Sequence, residues 1–134
     1  MLEASKVLKY SYAICRNIGV KSEYTYEELD RYEALTSRFA RLSDLIIQKV
    51  FRLIDELDLD NDGTIRDRIN RAEKKGLIES AETFSIIRHL RNSIAHEYEP
   101  EAITEIFDQV LHLTPQILNC VDRVKNYCDK HGLN

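Results

Sequence analysis

The sequence predicts an all-α protein, a bundle of five to six helices formed by a single domain over residues 1–134. Three observations support this fold class. Only four glycines and two prolines occur, so long stretches run without a helix breaker. Apolar residues recur at helical spacing, and no segment shows the alternation that is typical of a strand. The length of the chain also suits one hydrophobic core.

The first two helices are indicated by apolar stripes with a recognisable end. A stripe from Val7 to Ile18 precedes Gly19, which suits the position after a helix C-terminus. Thr25 and Glu28 form a possible capping box for the second helix. That helix is expected to run for about 30 residues, a length that a bundle can bury. Its stripe consists of Leu29, Tyr32, Leu35, Phe39, Leu42, Leu45, Ile46, Val50 and Leu53.

The second half of the chain is divided by glycine and proline. A third helix is expected from near Thr64 to Gly76. A fourth follows a cap at Ser80 and ends at about the residue before Pro100, where helical geometry is disfavoured. The chain then continues in one of two ways. Either Pro115 begins a sixth helix after a fifth, or it kinks one long helix.

The charge of the chain is unevenly distributed. The formal net charge is −4, which is unfavourable for a general nucleic-acid binder. Residues 64 to 91, however, include seven basic and four acidic residues, so this stretch carries a local charge of +3. A solvated helix face of mixed charge is the commoner explanation of such a run.

The cysteines and the apolar runs indicate a reduced cytoplasmic protein. Cys15, Cys120 and Cys128 form no C-x-x-C pair, and their odd number argues against a disulfide framework. No run approaches the ~18 apolar residues of a membrane span. The N-terminal residues show no secretory signal. A cytoplasmic location without membrane association is therefore expected.

The segment from Asp58 to Ile69, D-L-D-N-D-G-T-I-R-D-R-I, imitates a calcium-binding EF-hand loop. Such a loop needs a bidentate carboxylate at its twelfth position, and here that position is Ile69. Its ninth position is the cation Arg66. We therefore expect an acidic turn in which Gly63 supplies a positive φ. With no His/Cys/Asp cluster at metal-ligand spacing elsewhere, neither a metal nor another cofactor is expected.

The octapeptide R-N-S-I-A-H-E-Y, residues 91 to 98, contains the groups that metal-free cleavage of a phosphodiester needs. His96 can take the proton of a ribose 2′-OH or protonate the 5′ leaving oxygen. Arg91 can stabilise the charge on the phosphoryl oxygens. Asn92 and Arg88 are candidate supporting and RNA-binding residues. Tyr98 can stack on a base or hydrogen-bond the substrate.

Helical geometry separates the two residues predicted to be catalytic. Arg88, Asn92 and His96 follow one another around the fourth helix, whereas Arg91 lies at the border of its buried face. Arg91 and His96 point about 140° apart. One helix therefore presents an incomplete site. A second copy of the motif across a dimer interface would close it better.

The R-x4-H-x-Y pattern of Arg91, His96 and Tyr98 resembles the motif of the HEPN superfamily, in particular the HepT-like toxins. Residues 63–78 also resemble the segment that precedes the motif helix in that family. The resemblance implies an up-and-down all-α bundle that dimerises, with metal-independent RNA cleavage by Arg91 and His96 and Asn92 as the polar residue after the arginine. It also implies a minimal nucleotidyltransferase (MNT) antitoxin as partner, which would transfer AMP to Tyr98.

Two other functions compete with this interpretation. One is a HEPN companion that binds substrate for a nucleotidyltransferase without cutting RNA. The other is a purely structural helical interaction domain, in which Arg91 and His96 are surface residues and Tyr98 is an aromatic at the edge of the core. The complete set of arginine, histidine and tyrosine favours the ribonuclease.

Overall fold

The computed structural model describes residues 1–97 and 99–133 and contains five helices. Within these residues no strand occurs, so the all-α prediction is confirmed. The second helix is continuous, but a π-helical segment, Leu45–Val50, lies between its α-helical parts Tyr26–Asp44 and Phe51–Leu57. The five helices are α1 (Leu2–Ile18), α2 (26–57), α3 (Ile65–Lys74), α4 (Ala81–His96) and α5 (Pro100–Lys130).

Local signals in the sequence fix the starts of α2 and α3. The Thr25 hydroxyl accepts from the Glu28 N–H at 3.2 Å, and the Glu28 carboxylate accepts from the Thr25 N–H at 2.9 Å. Thr64 and Asp67 form the same reciprocal pair at the start of α3. The turn before it needs Gly63, whose φ is +94°. A Cβ at that position would also collide with the Asp67 carboxylate.

The long helix α2 is the centre of the bundle. Its first part, Tyr26–Asp44, packs against α1, α4 and α5, and its later part packs against α3. In the core of the first half, the Tyr32 ring stacks on Phe107 with centroids 4.9 Å apart. The Tyr32 hydroxyl donates to the carbonyl of Gly19 at 2.6 Å, so its polar end is satisfied although the side chain is buried. In the second half, Phe51 of α2 meets Phe84 of α4.

The predicted apolar stripe of α2 is wrong beyond the π segment. Leu53 was expected in the core but is 57% exposed, whereas Phe51 and Ile54 are buried. The reason is the wider turn of a π helix, which takes more residues than an α turn. The wider turn rotates every later side chain around the helix axis. The buried face of the later part of α2 is therefore in line with Ile47, and not with Ile46 as α-helical spacing predicts. Val7, expected in the stripe of α1, is also exposed at 37%.

The C-terminal half of the bundle contains one long helix. Of the two expectations for Pro115, the single helix is correct, because α5 continues through it to Lys130. One residue earlier, the buried Thr114 hydroxyl donates to the Val110 carbonyl at 2.7 Å. α4 ends at His96, slightly before the predicted boundary, since the backbone is already extended at Glu97. None of the described helices is both long and apolar enough to cross a membrane.

Candidate functional site

Arg91, on the last turns of α4, is held by Asp44 of α2. Its Nε donates to Asp44 Oδ1 at 2.7 Å and its Nη2 donates to Oδ2 at 2.9 Å. This is the paired geometry in which a guanidinium meets a carboxylate edge to edge. The hydrogen bonds to Asp44 raise the pKa of Arg91 above its usual value. Both side chains remain partly exposed, so the guanidinium is fixed in position and still open to solvent.

Asp44 is the last residue before the π-helical segment, where the backbone changes its hydrogen-bond register. The Phe51 N–H donates to the carbonyl of Ile46, five residues back. Where this pattern returns to the ordinary four-residue spacing, one carbonyl loses its amide partner. The next carbonyl in register, that of Ile47, accepts from Arg68 Nη1 at 3.2 Å. A side chain of α3 therefore stabilises the break in the ladder of α2.

The Arg91–Asp44 pair separates two cavities of different character. On one side lies a groove of about 750 Å³ between α2, α4 and α5, hereafter the apolar groove, with Ile94 and Ile103 in its walls. On the other side lies a polar pocket of about 350 Å³. The polar pocket is lined by Ser43, Asp44, Ile47, Gln48, Arg88, Arg91 and Asn92.

The structure brings together three of the predicted site residues. Arg88, Arg91 and Asn92 all line the polar pocket. His96 is the last residue of α4 and is exposed, but it is not among the described residues that line either cavity. Arg91 and His96 lie on one helix, for which ideal geometry separates the directions of their side chains by about 140°. Tyr98 lies outside the described residues.

Comparison of the chain with protein-family models, curated proteins and solved structures yields no match. The site is therefore interpreted from its own geometry. Across residues 1–97 and 99–133, no group of three or more histidine, cysteine, aspartate or glutamate side chains is placed to hold a metal ion. The acidic turn is one example of this. Asp58 there is bonded to Lys75 and Tyr127.

Sequence reasoning missed the residues that α2 contributes to the site, which are Ser43, Asp44 and Gln48. Asp44 lies 47 positions before its partner Arg91, and no local pattern connects the two. The one available signal was its place between Leu42 and Ile46 in the predicted stripe, where an acid at the edge of a buried face often has a cation partner. No glycine, proline or other breaker marks the π segment.

Proposed function

We propose that this chain is a metal-independent endoribonuclease of the HEPN type, the cytoplasmic toxin of a toxin–antitoxin pair. The observation that supports this most is that the Arg91 side chain is both fixed in orientation and accessible. Asp44 fixes its guanidinium in a fork, yet the side chain stays 30% exposed near the end of α4. The exposed His96 follows on the same helix. A rigid cation with an accessible imidazole nearby suits phosphodiester cleavage.

The pairing with Asp44 leaves Arg91 able to bind a phosphate. A guanidinium has five N–H donors, and Asp44 takes one at Nε and one at Nη2. Three donors remain for phosphoryl oxygens. Because the Asp44 carboxylate holds the guanidinium of Arg91 in one orientation, little side-chain entropy is lost when the substrate binds. Asp44 thereby acts as a positioning residue for Arg91.

In the proposed reaction the ribose 2′-oxygen attacks the adjacent phosphorus. His96 accepts the 2′-OH proton as the P–O bond forms, and the bond from phosphorus to the 5′ oxygen breaks. The leaving oxygen takes a proton from an imidazolium or from water, which gives a 2′,3′-cyclic phosphate and a 5′-hydroxyl. Arg91 stabilises the charge that develops on the phosphoryl oxygens. Asn92 and Arg88 support the binding of the RNA.

The divergence of Arg91 and His96 on one helix is the reason to include a second copy of the chain. In a homodimer with the ends of both α4 helices facing each other, Arg91 of one copy and the imidazole of the other could approach the same phosphate. The partner that controls this site is proposed to be an MNT-type nucleotidyltransferase antitoxin. AMP on Tyr98 would add bulk and negative charge near Arg91 and His96 and so compete with RNA.

The second candidate is a non-catalytic HEPN companion that binds substrate for a nucleotidyltransferase. The net charge of −4 favours it, because a chain with this charge has weak general affinity for RNA. In that case the cavities beside Arg91 bind a ligand, but no bond is broken. The two candidates differ in one measurable property, the appearance of cleaved RNA.

The deciding experiment is an RNA-cleavage assay with and without EDTA. It compares the wild type with His96→Ala and Arg91→Ala. His89→Ala is the matched control, because it removes another exposed histidine of α4. We expect EDTA to have no effect. His96→Ala should lower the rate by about 10²–10⁴-fold, and His89→Ala should leave it nearly unchanged.

Other outcomes of this assay separate the alternatives. Cleavage that persists in both His96→Ala and Arg91→Ala would remove the proposed mechanism. Absence of cleavage in every protein, the wild type included, would favour the binding companion. Mass spectrometry after incubation with a nucleotidyltransferase and ATP tests the proposed transfer of AMP to Tyr98. An unmodified Tyr98 peptide would count against this regulation.

A further inference from the structure

The polar pocket contains more hydrogen-bond donors than its own residues use. The described residues include no hydrogen-bond or ion-pair partner for the Arg88 side chain. Asn92 and Gln48 add amide groups that are exposed to solvent. Ser43 is 1% exposed, and its hydroxyl oxygen has no hydrogen-bond partner among the described residues. An unsatisfied buried polar group is uncommon enough in proteins to require an explanation.

Among the described residues that line the polar pocket, the one acid, Asp44, does not cancel this excess of donors. Both oxygens of Asp44 already accept from Arg91, at 2.7 and 2.9 Å. That ion pair is neutral as a unit, so Arg88 gives the pocket a net positive charge. A cation, two amides and a hydroxyl in one concave space form a set that suits the oxygens of an anion.

The position of the pocket along α4 indicates which anion it would accept. Arg88 precedes Arg91 by three residues, so the two residues are separated by about 4.5 Å along the helix axis. Successive phosphates of an extended single strand are separated by a comparable distance. A strand that places its scissile phosphate beside Arg91 can therefore place a neighbouring phosphate beside Arg88, which lines the same pocket.

We propose that the polar pocket is a subsite for the phosphodiester next to the scissile one, bound by Arg88, Asn92, Gln48 and Ser43. This inference rests on the proposed ribonuclease function and assigns new binding roles to two residues of α2. The ligand chemistry is a phosphate within an RNA strand. A free phosphate or a mononucleotide offers similar oxygens without the neighbouring scissile bond, so the test includes both kinds of ligand.

Substrate length distinguishes the subsite from the catalytic residues. A dinucleoside monophosphate carries only the scissile phosphate, whereas a longer oligoribonucleotide also fills the polar pocket. Arg88→Gln should lower kcat/KM on the oligoribonucleotide roughly tenfold more than on the dinucleoside monophosphate. The control is Arg16→Gln, which removes an exposed arginine of α1 and should affect neither substrate. Equal loss on both substrates, or no loss on either, would overturn the subsite.

A binding measurement keeps the two proposals separable if the wild type does not cleave RNA. Fluorescence anisotropy with a labelled oligoribonucleotide is performed on the His96→Ala protein, alone and combined with Arg88→Gln or Ser43→Ala. Removal of the Arg88 contact should reduce the slope of log K against log salt by about 0.7. Ser43→Ala should weaken binding about fivefold, while its thermal midpoint stays that of the parent because the hydroxyl has no partner to lose.

The outcomes of the binding measurement are equally decisive. Unchanged affinity and salt slope in both combined variants would overturn the subsite even if the wild type cleaves RNA. Reduced binding in these variants together with an inactive wild type would preserve the subsite and remove the proposed ribonuclease. Inorganic phosphate and AMP are titrated as competitors. Displacement of RNA by either one at equal or lower concentration would assign the pocket to a free phosphate ligand instead.

Discussion

The two halves of α2 each present an aspartate to an arginine of another helix, and the two pairs have opposite surroundings. After the π segment, Asp55 has a side chain that is 3% exposed, and it accepts from Arg71 at 3.0 Å and from Lys75 at 2.8 Å. Before it, Asp44 is 44% exposed, and Arg91 is its one ion-pair partner within the described part of the chain. The Asp55 cluster extends to further partners, whereas Arg88 beside the Asp44 pair has none among the described residues.

This difference separates a structural ion pair from one that can bind a ligand. At Asp55, hydrogen bonds from Arg71 of α3 and from Lys75 at the C-terminus of α3 replace the water that the buried carboxylate has lost, and the geometry stabilises the fold. At Asp44, the fixed guanidinium keeps donors that face solvent, and it adjoins two cavities. Replacement of Asp44 or Asp55 therefore tests directly whether the two ion pairs have these different roles.

The largest expected effect is on the buried pair. Asp55→Asn removes the carboxylate that is hydrogen-bonded to Arg71 and one of those that pair with Lys75, so we expect a loss of about 3–5 kcal/mol in the free energy of unfolding. The matched Asp44→Asn change breaks a partly exposed pair and should cost about 0–1 kcal/mol. Urea denaturation of both variants measures the difference. Equal losses would show that the two pairs do not have different roles.

The next expected effect concerns the π segment that lies between the two pairs. Arg68→Met keeps most of the apolar length of the side chain but removes the donor to the Ile47 carbonyl. An unsatisfied carbonyl in this partly buried place should cost about 1–3 kcal/mol. The control is Arg66→Met on the same helix, which loses an exposed bond to Ser85 and should change stability by less than about 0.5 kcal/mol. A smaller loss in Arg68→Met than in Arg66→Met would contradict this account of the π segment.

The parts of the fold that depend on neighbouring residues were predictable from the sequence. The capping box at Thr25, the turn at Gly63 and the start of α4 after Ser80 each involve residues within a few positions of one another. Such local signals can be recognised without knowledge of the tertiary packing. The sequence does not determine the number of helices after Pro100, because proline can begin a helix or lie within one, and the surrounding packing decides between the two.

The parts that depend on tertiary packing were not predictable. The spacing of an unbroken α-helix predicts Leu53 in the core, and the sequence of the π segment contains no breaker that would signal otherwise. Arg91 was chosen as a candidate from the chemistry of its motif. Its partner Asp44, and the neighbours Ser43 and Gln48, become visible only when α2 and α4 lie side by side.

The smallest expected effect is a pH dependence of the free energy of unfolding that arises at the Asp55 cluster. Asp58 extends the Asp55 cluster, with Lys75 Nζ at 2.8 Å and a hydrogen bond from Tyr127 Oη at 2.9 Å. These bonds, that of Lys75 first, lower the pKa of Asp58 below its ordinary 3.8. A carboxyl group with a lowered folded pKa stabilises the fold above its unfolded pKa. That stabilisation is lost as the pH falls below 3.8 through the folded pKa.

Asp58→Asn removes this titration while it retains the size of the side chain. The wild type should therefore lose more free energy of unfolding than the variant between about pH 6 and about pH 3, because only the wild type has a carboxylate to protonate at this position. The side chain is 34% exposed, so the difference should stay below about 1 kcal/mol. Other carboxylates titrate in both proteins and cancel in the comparison. An equal acid-induced loss in the two proteins would place Asp58 outside the cluster and confine the structural ion pairs to Asp55.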